Sequence, residues 1–161
     1  MIRFVSARRV AVSLAVVGVL ALGGPAPAGE PVPFKGRFEG DVTVTPAPPF
    51  LEVDVEAMGR ATQLGRFTLD IPHEVNPATR TAAGYYEFTA ANGDKVYAEF
   101  TGVAMPTAIP GVLYIEETAT ITGGTGRFAG ATGSFISERW YDTVALTTVG
   151  SFEGTISAAG N

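Results

Sequence analysis

A glycine and a phenylalanine two residues apart recur along this chain, mostly within segments where apolar and polar residues alternate. The unit occurs as Gly36-Arg37-Phe38-Glu39-Gly40, Gly65-Arg66-Phe67 and Gly126-Arg127-Phe128-Ala129-Gly130, with a relaxed copy at Gly150-Ser151-Phe152-Glu153-Gly154. Glycine weakens a strand and is kept where the sheet bends sharply or a neighbour packs close, and an aromatic side chain can cover the bare backbone. The repeat therefore predicts a strongly curved, closed β-sheet, but it indicates no reaction.

The first 28 residues have the pattern of an export signal. Arg3, Arg8 and Arg9 form a basic start, residues 10–22 form an uncharged apolar run, and Ala26-Pro27-Ala28 fits a small-x-small cleavage site. The run is too short to span a bilayer comfortably, and no second apolar stretch follows, so no membrane anchor is expected. We expect a secreted or periplasmic protein with a signal peptide at 1–28, a short leader at 29–33 and one domain at 34–161. The Arg8-Arg9 pair suggests the twin-arginine export route, but the flanking residues fit ordinary secretion better.

Composition excludes several classes of function. Removal of residues 1–28 leaves 133 residues, enough for one domain with a core, and 8 basic against 16 acidic residues, a net charge of −8. This charge argues against nucleic acid and anionic membranes as partners. The chain has no cysteine, which rules out disulfides, thiol chemistry and cysteine metal sites. No cofactor is expected.

Alternation of apolar and polar residues predicts eight strands, at 34–45, 51–57, 61–71, 81–91, 95–102, 112–122, 131–142 and 147–157. Asn92-Gly93-Asp94 between two such runs is a strong hairpin signal, whereas residues 72–78 are predicted to form a loop. The fold class is all-β, with an eight-stranded antiparallel barrel preferred and a β-sandwich as the alternative. The similar first and last repeat copies could be neighbours across a barrel seam, which favours closure.

Residues 121–133, Ile-Thr-Gly-Gly-Thr-Gly-Arg-Phe-Ala-Gly-Ala-Thr-Gly, resemble a stretch of dirigent proteins and allene oxide cyclases. In those families a Gly-Gly-Thr/Ser-Gly-x-Phe turn joins two late strands of an eight-stranded barrel. The chain is also similar to small exported bacterial proteins of this barrel class that have no assigned role. The resemblance implies a calycin-like barrel, often trimeric, with an apolar cavity. The acid-and-asparagine motif of the cyclases is not recognisable, so the resemblance transfers no catalytic residue.

Four polar residues fall in inward register and are the candidate ligand-binding residues: Glu117, Arg139, Tyr141 and Gln63. If the strands on either side of the glycine-rich turn pair, Glu117 and Arg139 lie near a diagonal about 7–8 Å apart at the backbone. A structural ion pair that plugs one barrel end is the competing interpretation, because a buried carboxylate is costly unless it is paired. A second alternative places Ile136 and Trp140 inward, which would put Arg139 outside.

Other candidate sites have weaker signals. His73 is the single histidine, and we expect a solvated loop residue that supports neither a hydrolase triad nor a histidine metal site. The glycine-rich turn lacks the Lys-Ser/Thr ending of a phosphate-binding loop. Outward acids, Glu39, Asp41, Glu52, Asp54 and Glu56, could attract calcium but lack the pattern of a calcium loop, so we expect a solvated face.

Three functions remain open. The first is a barrel that binds a small apolar or amphipathic molecule in space left by the small inward residues Gly36, Gly40, Ala61, Gly65, Ala90, Ala98 and Gly102. The second is a dirigent- or cyclase-like isomerase or stereocontrol protein in which Glu117, Arg139 and Tyr141 polarise an intermediate. The third is a filled barrel that serves as a structural or interaction module. Enzymatic activity is less favoured than binding alone.

Overall fold

The computed structural model describes residues 29–158, so the predicted signal peptide and residues 159–161 lie outside the described residues. Nine strands follow one another along the chain: β1 (Val32–Ala47), β2 (Phe50–Ala61), β3 (Gly65–Asp70), β4 (His73–Asn76), β5 (Thr81–Ala90), β6 (Lys95–Pro106), β7 (Val112–Gly124), β8 (Thr132–Asp142) and β9 (Thr147–Ser157). A single 3-10 turn, Gly126–Phe128, precedes β8, and residues 29–158 contain no α-helix. None of their helical segments is long and apolar enough to cross a membrane.

The sheet closes into an eight-stranded antiparallel barrel, as predicted, and a sandwich is excluded. β3 and β4 both pair with β2 on one side and β5 on the other, so they are two parts of one strand that bends at Ile71-Pro72. Each later strand pairs with the next, and β9 returns to pair with β1. Closure removes the free sheet edges that would otherwise template aggregation.

The first and last copies of the repeat lie next to each other across the β1–β9 seam, which confirms their predicted proximity. Gly36 pairs with Phe152, and Phe38 pairs with Gly150. A Cβ atom built on Gly36 would lie 2.9 Å from Phe152 Cζ, and one on Gly150 would lie 2.7 Å from Phe38 Cζ. The ring of each copy therefore occupies the space over the glycine of the other.

The paired positions also define the stagger of the barrel. Starting from β1, the paired residues form a path around the barrel: Val44, Val53, His73, Gly84, Phe100, Ala119, Phe135, Gly154 and Phe34. The path returns to β1 ten residues before its start. Such a stagger requires strands tilted by roughly 35–45° from the barrel axis, so residues at one level of the lumen come from different positions along each strand.

The lumen has an aromatic half and a polar half. Seven rings with neighbouring centroids 4.9–6.1 Å apart fill the first half and reach the middle: Phe34, Phe67, Tyr86, Phe88, Phe100, Phe135 and Phe152. Buried Leu64 and Phe128 lie beyond them, at what we call the Phe128 end. The opposite end, called the Tyr141 end, is lined by half-buried side chains: Leu51, Val75, Ala82, Leu113 and Tyr141.

Two predicted boundaries are wrong. Residues 73–76 form β4 rather than part of a loop, because Pro72 bends the strand without ending its pairing. The predicted strand at 61–71 begins only at Gly65, since Ala61 ends β2 and residues 62–64 form the turn between them. Gln63 in this turn has a positive φ of 63°, which is incompatible with its expected place in a strand.

Candidate functional site

A buried hydrogen-bonded network of three side chains lies in the polar half of the lumen. Arg139 donates from Nε (3.1 Å) and Nη2 (2.8 Å) to Oε1 of Glu117. The Tyr86 hydroxyl donates to the other carboxylate oxygen, Oε2. Glu117 and Tyr86 have no exposed surface, and Arg139 is 2% exposed. The predicted contact between Glu117 and Arg139 is therefore present, and both its charges are removed from water.

Strand register explains why these residues meet. Glu117 on β7 pairs directly with Ser137 on β8, so Arg139 occupies the diagonal position on the same face. On its other side Glu117 pairs with Gly102 of β6, and the Glu117 side chain lies over that glycine, toward β5. Tyr86 of β5 completes the network from two strands away, next to the ring of Phe100 on the inward face of β6. The alternative inward set on β8 is wrong, since Ile136 and Trp140 are 52% and 46% exposed.

Burial and the neighbouring charges shift the pKa values of Tyr86 and Arg139. Burial raises the pKa of Tyr86 well above its ordinary value, and the Glu117 charge raises it further, so the phenol keeps its proton. Burial alone would lower the pKa of Arg139, but attraction to Glu117 and the hydrogen bonds between them outweigh it, and the pKa is raised. Arg139 therefore keeps its positive charge, and Tyr86 is a neutral hydrogen-bond donor.

His73 lies beside this network, and the expectation of a solvated loop residue is wrong. It is 9% exposed, and its Nδ1 lies 2.8 Å from the Ile71 carbonyl oxygen. Its ring meets the Phe100 ring edge-on, with the two centroids 5.7 Å apart. A carbonyl oxygen only accepts, so Nδ1 carries the proton. Burial lowers the pKa of His73, and the Arg139 charge lowers it further. The alternation of Ile71, His73 and Val75 with Pro72 and Glu74 is the sequence signal of a strand with His73 inward. Pro72 led to the prediction of a loop instead.

The network has hydrogen-bonding capacity that the described residues do not use. The Ser137 hydroxyl is fully buried beside the Tyr86 hydroxyl, where its donor character lowers the Tyr86 pKa, but it forms no hydrogen bond of regular geometry among residues 29–158. A guanidinium has five N–H donors. Arg139 uses Nε and Nη2 on Glu117, and Nη1 donates to no residue within 29–158.

The other two predicted site residues have different positions. Tyr141 is half-buried at the Tyr141 end, two residues beyond Arg139 on the same face of β8. Burial raises its pKa, and Arg139 partly opposes this shift. Gln63 is exposed in the β2–β3 turn at the Phe128 end, where its backbone carbonyl accepts from Arg127 Nη2 at 2.9 Å. Its predicted inward register is wrong, and it is remote from the network.

Sequence reasoning missed Tyr86. It shares the inward face of β5 with Phe88 and Ala90, so its alternation could have identified it as a lumen residue. Its hydrogen bond to Glu117 depends on two intervening strand pairings, and no local pattern contains that information.

Several small inward residues do not leave the open space that we expected. A Cβ atom on Gly36 would lie 2.6 Å from Ala61 Cβ, one on Gly40 would lie 2.6 Å from Ala57 Cβ, and one on Gly102 would lie 2.6 Å from Glu117 Cγ. Gly65 is exposed at the start of β3 instead of facing the lumen. Neighbouring strands and side chains therefore occupy the volume that Gly36, Gly40 and Gly102 release.

No group of three or more histidine, cysteine, aspartate or glutamate side chains within residues 29–158 is arranged to hold a metal ion. The acidic side chains of β1 and β2, Glu39, Asp41, Glu52, Asp54 and Glu56, are all exposed.

Comparison with known proteins shows the fold. No family model matches the chain, and no curated protein matches it in sequence. Among solved structures, a pterocarpan synthase dirigent protein aligns over 90% of this chain and 99% of its own length, with a TM-score of 0.59 and 10% sequence identity. The chain thus has a dirigent-like eight-stranded β-barrel fold, which agrees with the resemblance of residues 121–133.

Proposed function

We propose that the protein binds a small amphipathic molecule at the Tyr141 end of the barrel, with the polar group of the ligand directed toward Arg139. The observation that carries this proposal is the unused hydrogen-bonding capacity of a buried network. Ser137 Oγ is buried and forms no hydrogen bond of regular geometry among the described residues. The hydrogen bonds of Arg139 within these residues use Nε and Nη2 and leave Nη1 available.

Energetics support a functional role for the network. A buried ion pair is often no more stable than well-packed apolar residues of similar volume, because desolvation offsets the Coulombic attraction. The other half of this lumen is filled by packed aromatic rings, so an apolar filling of the same positions is compatible with the fold. Polar groups with perturbed pKa values in such a setting are candidates for ligand contact.

The chemistry of the lining defines the ligand class. Arg139 offers N–H donors, and Tyr141 offers a hydroxyl, so the polar group of the ligand is a hydrogen-bond acceptor such as a carbonyl or phenolic oxygen. Leu51, Val75 and Leu113 are half-buried at this end and would contact the apolar body. We assign no catalytic residue to the site.

A fluorescent probe tests this proposal. The uncharged dye 6-propionyl-2-(dimethylamino)naphthalene, whose carbonyl oxygen accepts hydrogen bonds, is titrated into the folded protein and into two variants that each add an indole ring. Leu113→Trp adds the ring on the inward face of β7, and Val103→Trp adds it at an exposed position on β6. We expect dye binding to be lost in Leu113→Trp and retained in Val103→Trp. Equal binding by the two variants would overturn the proposal.

A second candidate is stereocontrol of a reactive intermediate, and the dirigent-like fold supports it. In that case the same end of the barrel would hold a prochiral intermediate, with Arg139 and Tyr141 fixing its orientation. Chiral chromatography of the products from a chemically oxidised phenol, with and without the protein, tests this candidate. An enantiomeric excess that Arg139→Met abolishes would support it, and a racemic product in all samples would exclude it for that phenol.

A third candidate is a filled barrel without a ligand, which the seven packed rings and the occupied spaces at Gly36, Gly40 and Gly102 favour. If the uncharged dye binds no form of the protein and the products are racemic, the filled barrel is the candidate that remains.

We also propose that the protein is exported and begins at or near Gly29, on the basis of the N-terminal pattern in residues 1–28. Mass spectrometry of the protein recovered outside the cytoplasm tests this, and retention of residues 1–28 on the folded product would contradict it. The trimer that the dirigent resemblance implies is part of the same proposal, and sedimentation of the exported protein would detect it.

A further inference from the structure

A groove of about 1140 Å³ runs across the outer surface of the barrel and is separate from the lumen. It crosses six neighbouring strands, β5, β3, β2, β1, β9 and β8. Its exposed apolar side chains are Met58 (65% exposed), Trp140 (46%) and Val149 (52%). Water-exposed apolar side chains gathered in one concavity are a feature of ligand-binding and interaction surfaces.

Three arginines form a row in this groove. Arg37 on β1 pairs directly with Arg60 on β2, and Arg60 pairs directly with Arg66 on β3. All three side chains are exposed, and none of them forms an ion pair within residues 29–158. Like charges directly opposite one another destabilise a sheet, so the row has a cost in the free protein that a bound anion would relieve.

The row is also unusual for the charge of the molecule. Residues 29–158 contain 16 acidic and 8 basic residues, yet the groove lining contains three arginines and a single acid, Glu39. An acidic protein would repel a small anion at most of its surface. In this groove the local charge is reversed, and the neighbouring row contains Met58, Val149 and Trp140, with Glu39 between Met58 and Val149.

We propose that the groove binds a small amphipathic anion, with a carboxylate, sulfonate or phosphate on the arginine row and an aromatic or aliphatic body against Met58, Trp140 and Val149. The planar guanidinium groups fit two-oxygen anions because each can donate two parallel N–H bonds. The site is independent of the proposed lumen site, since its side chains point out of the barrel and those of the network point in.

The test uses the fluorescent anion 1-anilinonaphthalene-8-sulfonate under conditions where the protein is folded. Dye fluorescence measures binding, and the arginine variants locate it. The chain has one tryptophan, Trp140, which lines the groove, so quenching of its emission is expected to accompany binding. We expect Arg60→Gln to weaken dye binding by about tenfold, as the loss of a charge-assisted contact implies. The matched control Arg80→Gln removes one charge at an exposed position in the β4–β5 connection and should retain binding.

Further measurements separate the possible outcomes. Binding should weaken as salt is raised, because exposed charges are screened. Equal dye affinities for Arg60→Gln and Arg80→Gln would overturn the proposal. So would an oligomer that dissociates on Arg60→Gln substitution, since the acidic face of a second copy would then be the occupant. The uncharged dye tests the lumen site, and its binding should respond to Leu113→Trp but not to Arg60→Gln. The failure of one proposal can therefore be distinguished from the failure of the other.

Discussion

Gly102 of β6 lies directly opposite Glu117 of β7, and the glutamate side chain occupies the space where a Cβ atom at Gly102 would be. That atom would lie 2.6 Å from Glu117 Cγ and 3.0 Å from the Glu116 carbonyl oxygen. The absence of a side chain at position 102 therefore leaves space for Glu117, which accepts from both Tyr86 and Arg139. The glycine is a structural requirement of the network.

Gly102→Ala is expected to displace Glu117 and to destabilise the protein by about 1–3 kcal/mol, the range typical of overpacked cores. Urea unfolding measures the change in the free energy of unfolding. The control is the same substitution in a Glu117→Ala/Arg139→Met background, where Cγ is absent and the added methyl group should cost much less. An equal cost in both backgrounds would place the strain elsewhere.

Removal of one member of the ion pair is expected to destabilise the protein strongly. Either Glu117→Gln or Arg139→Met leaves the other charge buried, which costs about 3–5 kcal/mol. The double variant should recover much of that loss, and a double-mutant cycle by urea unfolding measures the coupling. Lys95→Met is the comparison, because it breaks an ion pair with Glu87 whose side chains are about one-third exposed and should have a far smaller effect. A coupling of zero between Glu117 and Arg139 would contradict the observed contact.

Two tyrosine–glutamate hydrogen bonds in this protein differ in burial and provide a matched pair. Tyr86→Phe removes the buried donor to Glu117 and should cost about 1–3 kcal/mol, because a charged acceptor is left unsatisfied. Tyr114→Phe removes a 2.7 Å bond to Glu138 at the surface, where water replaces the donor, so little change is expected. The hydrogen bond to Glu138 also raises the pKa of Tyr114 to about 12, and spectrophotometric titration should show that this shift depends on Glu138. Equal losses of stability in Tyr86→Phe and Tyr114→Phe would mean that burial does not decide the cost of removing the hydrogen bond.

Acidification is expected to destabilise the protein through His73. Burial and the Arg139 charge lower the pKa of His73 below its ordinary value of 6.5, so the unfolded chain binds a proton at a pH where the folded protein does not. The free energy of unfolding should therefore fall as the pH decreases below about 6.5 and should stop responding to His73 once the pH is below its folded pKa.

His73→Phe is the control for this pH effect. It keeps a ring next to Phe100 but removes the titrating group, and it should flatten the pH dependence of the melting temperature between pH 7.5 and the range where carboxylates titrate. Parallel pH profiles for the two proteins would assign the effect to other groups.

Closure of the sheet could be predicted from the sequence because the signals are local. Alternation along each strand identifies the buried face, and the glycine-phenylalanine repeat identifies where the sheet curves. The Asn92-Gly93-Asp94 hairpin was predicted correctly, since a positive φ at Gly93 (87°) is a requirement of that turn and its residues are adjacent in the chain. The proximity of residues 36–40 and 150–154 across the seam was predicted from two similar segments at opposite ends of the domain, whereas the register that pairs Gly36 with Phe152 was not.

The sequence by itself identified the inward face of β7, which includes Glu117, and it placed β8 next to β7 through one short turn. It left open whether Arg139 or Trp140 faces the lumen. The tertiary structure alone decided the rest of the network. Tyr86 reaches Glu117 across β6, and His73 enters the lumen because β4 pairs with both β2 and β5 despite Pro72. The arginine row depends on the register of three strands, and register is set by packing around the whole closed barrel. Long-range pairings of this kind have no local signature, since the energy that fixes them is shared among strands distant in the chain.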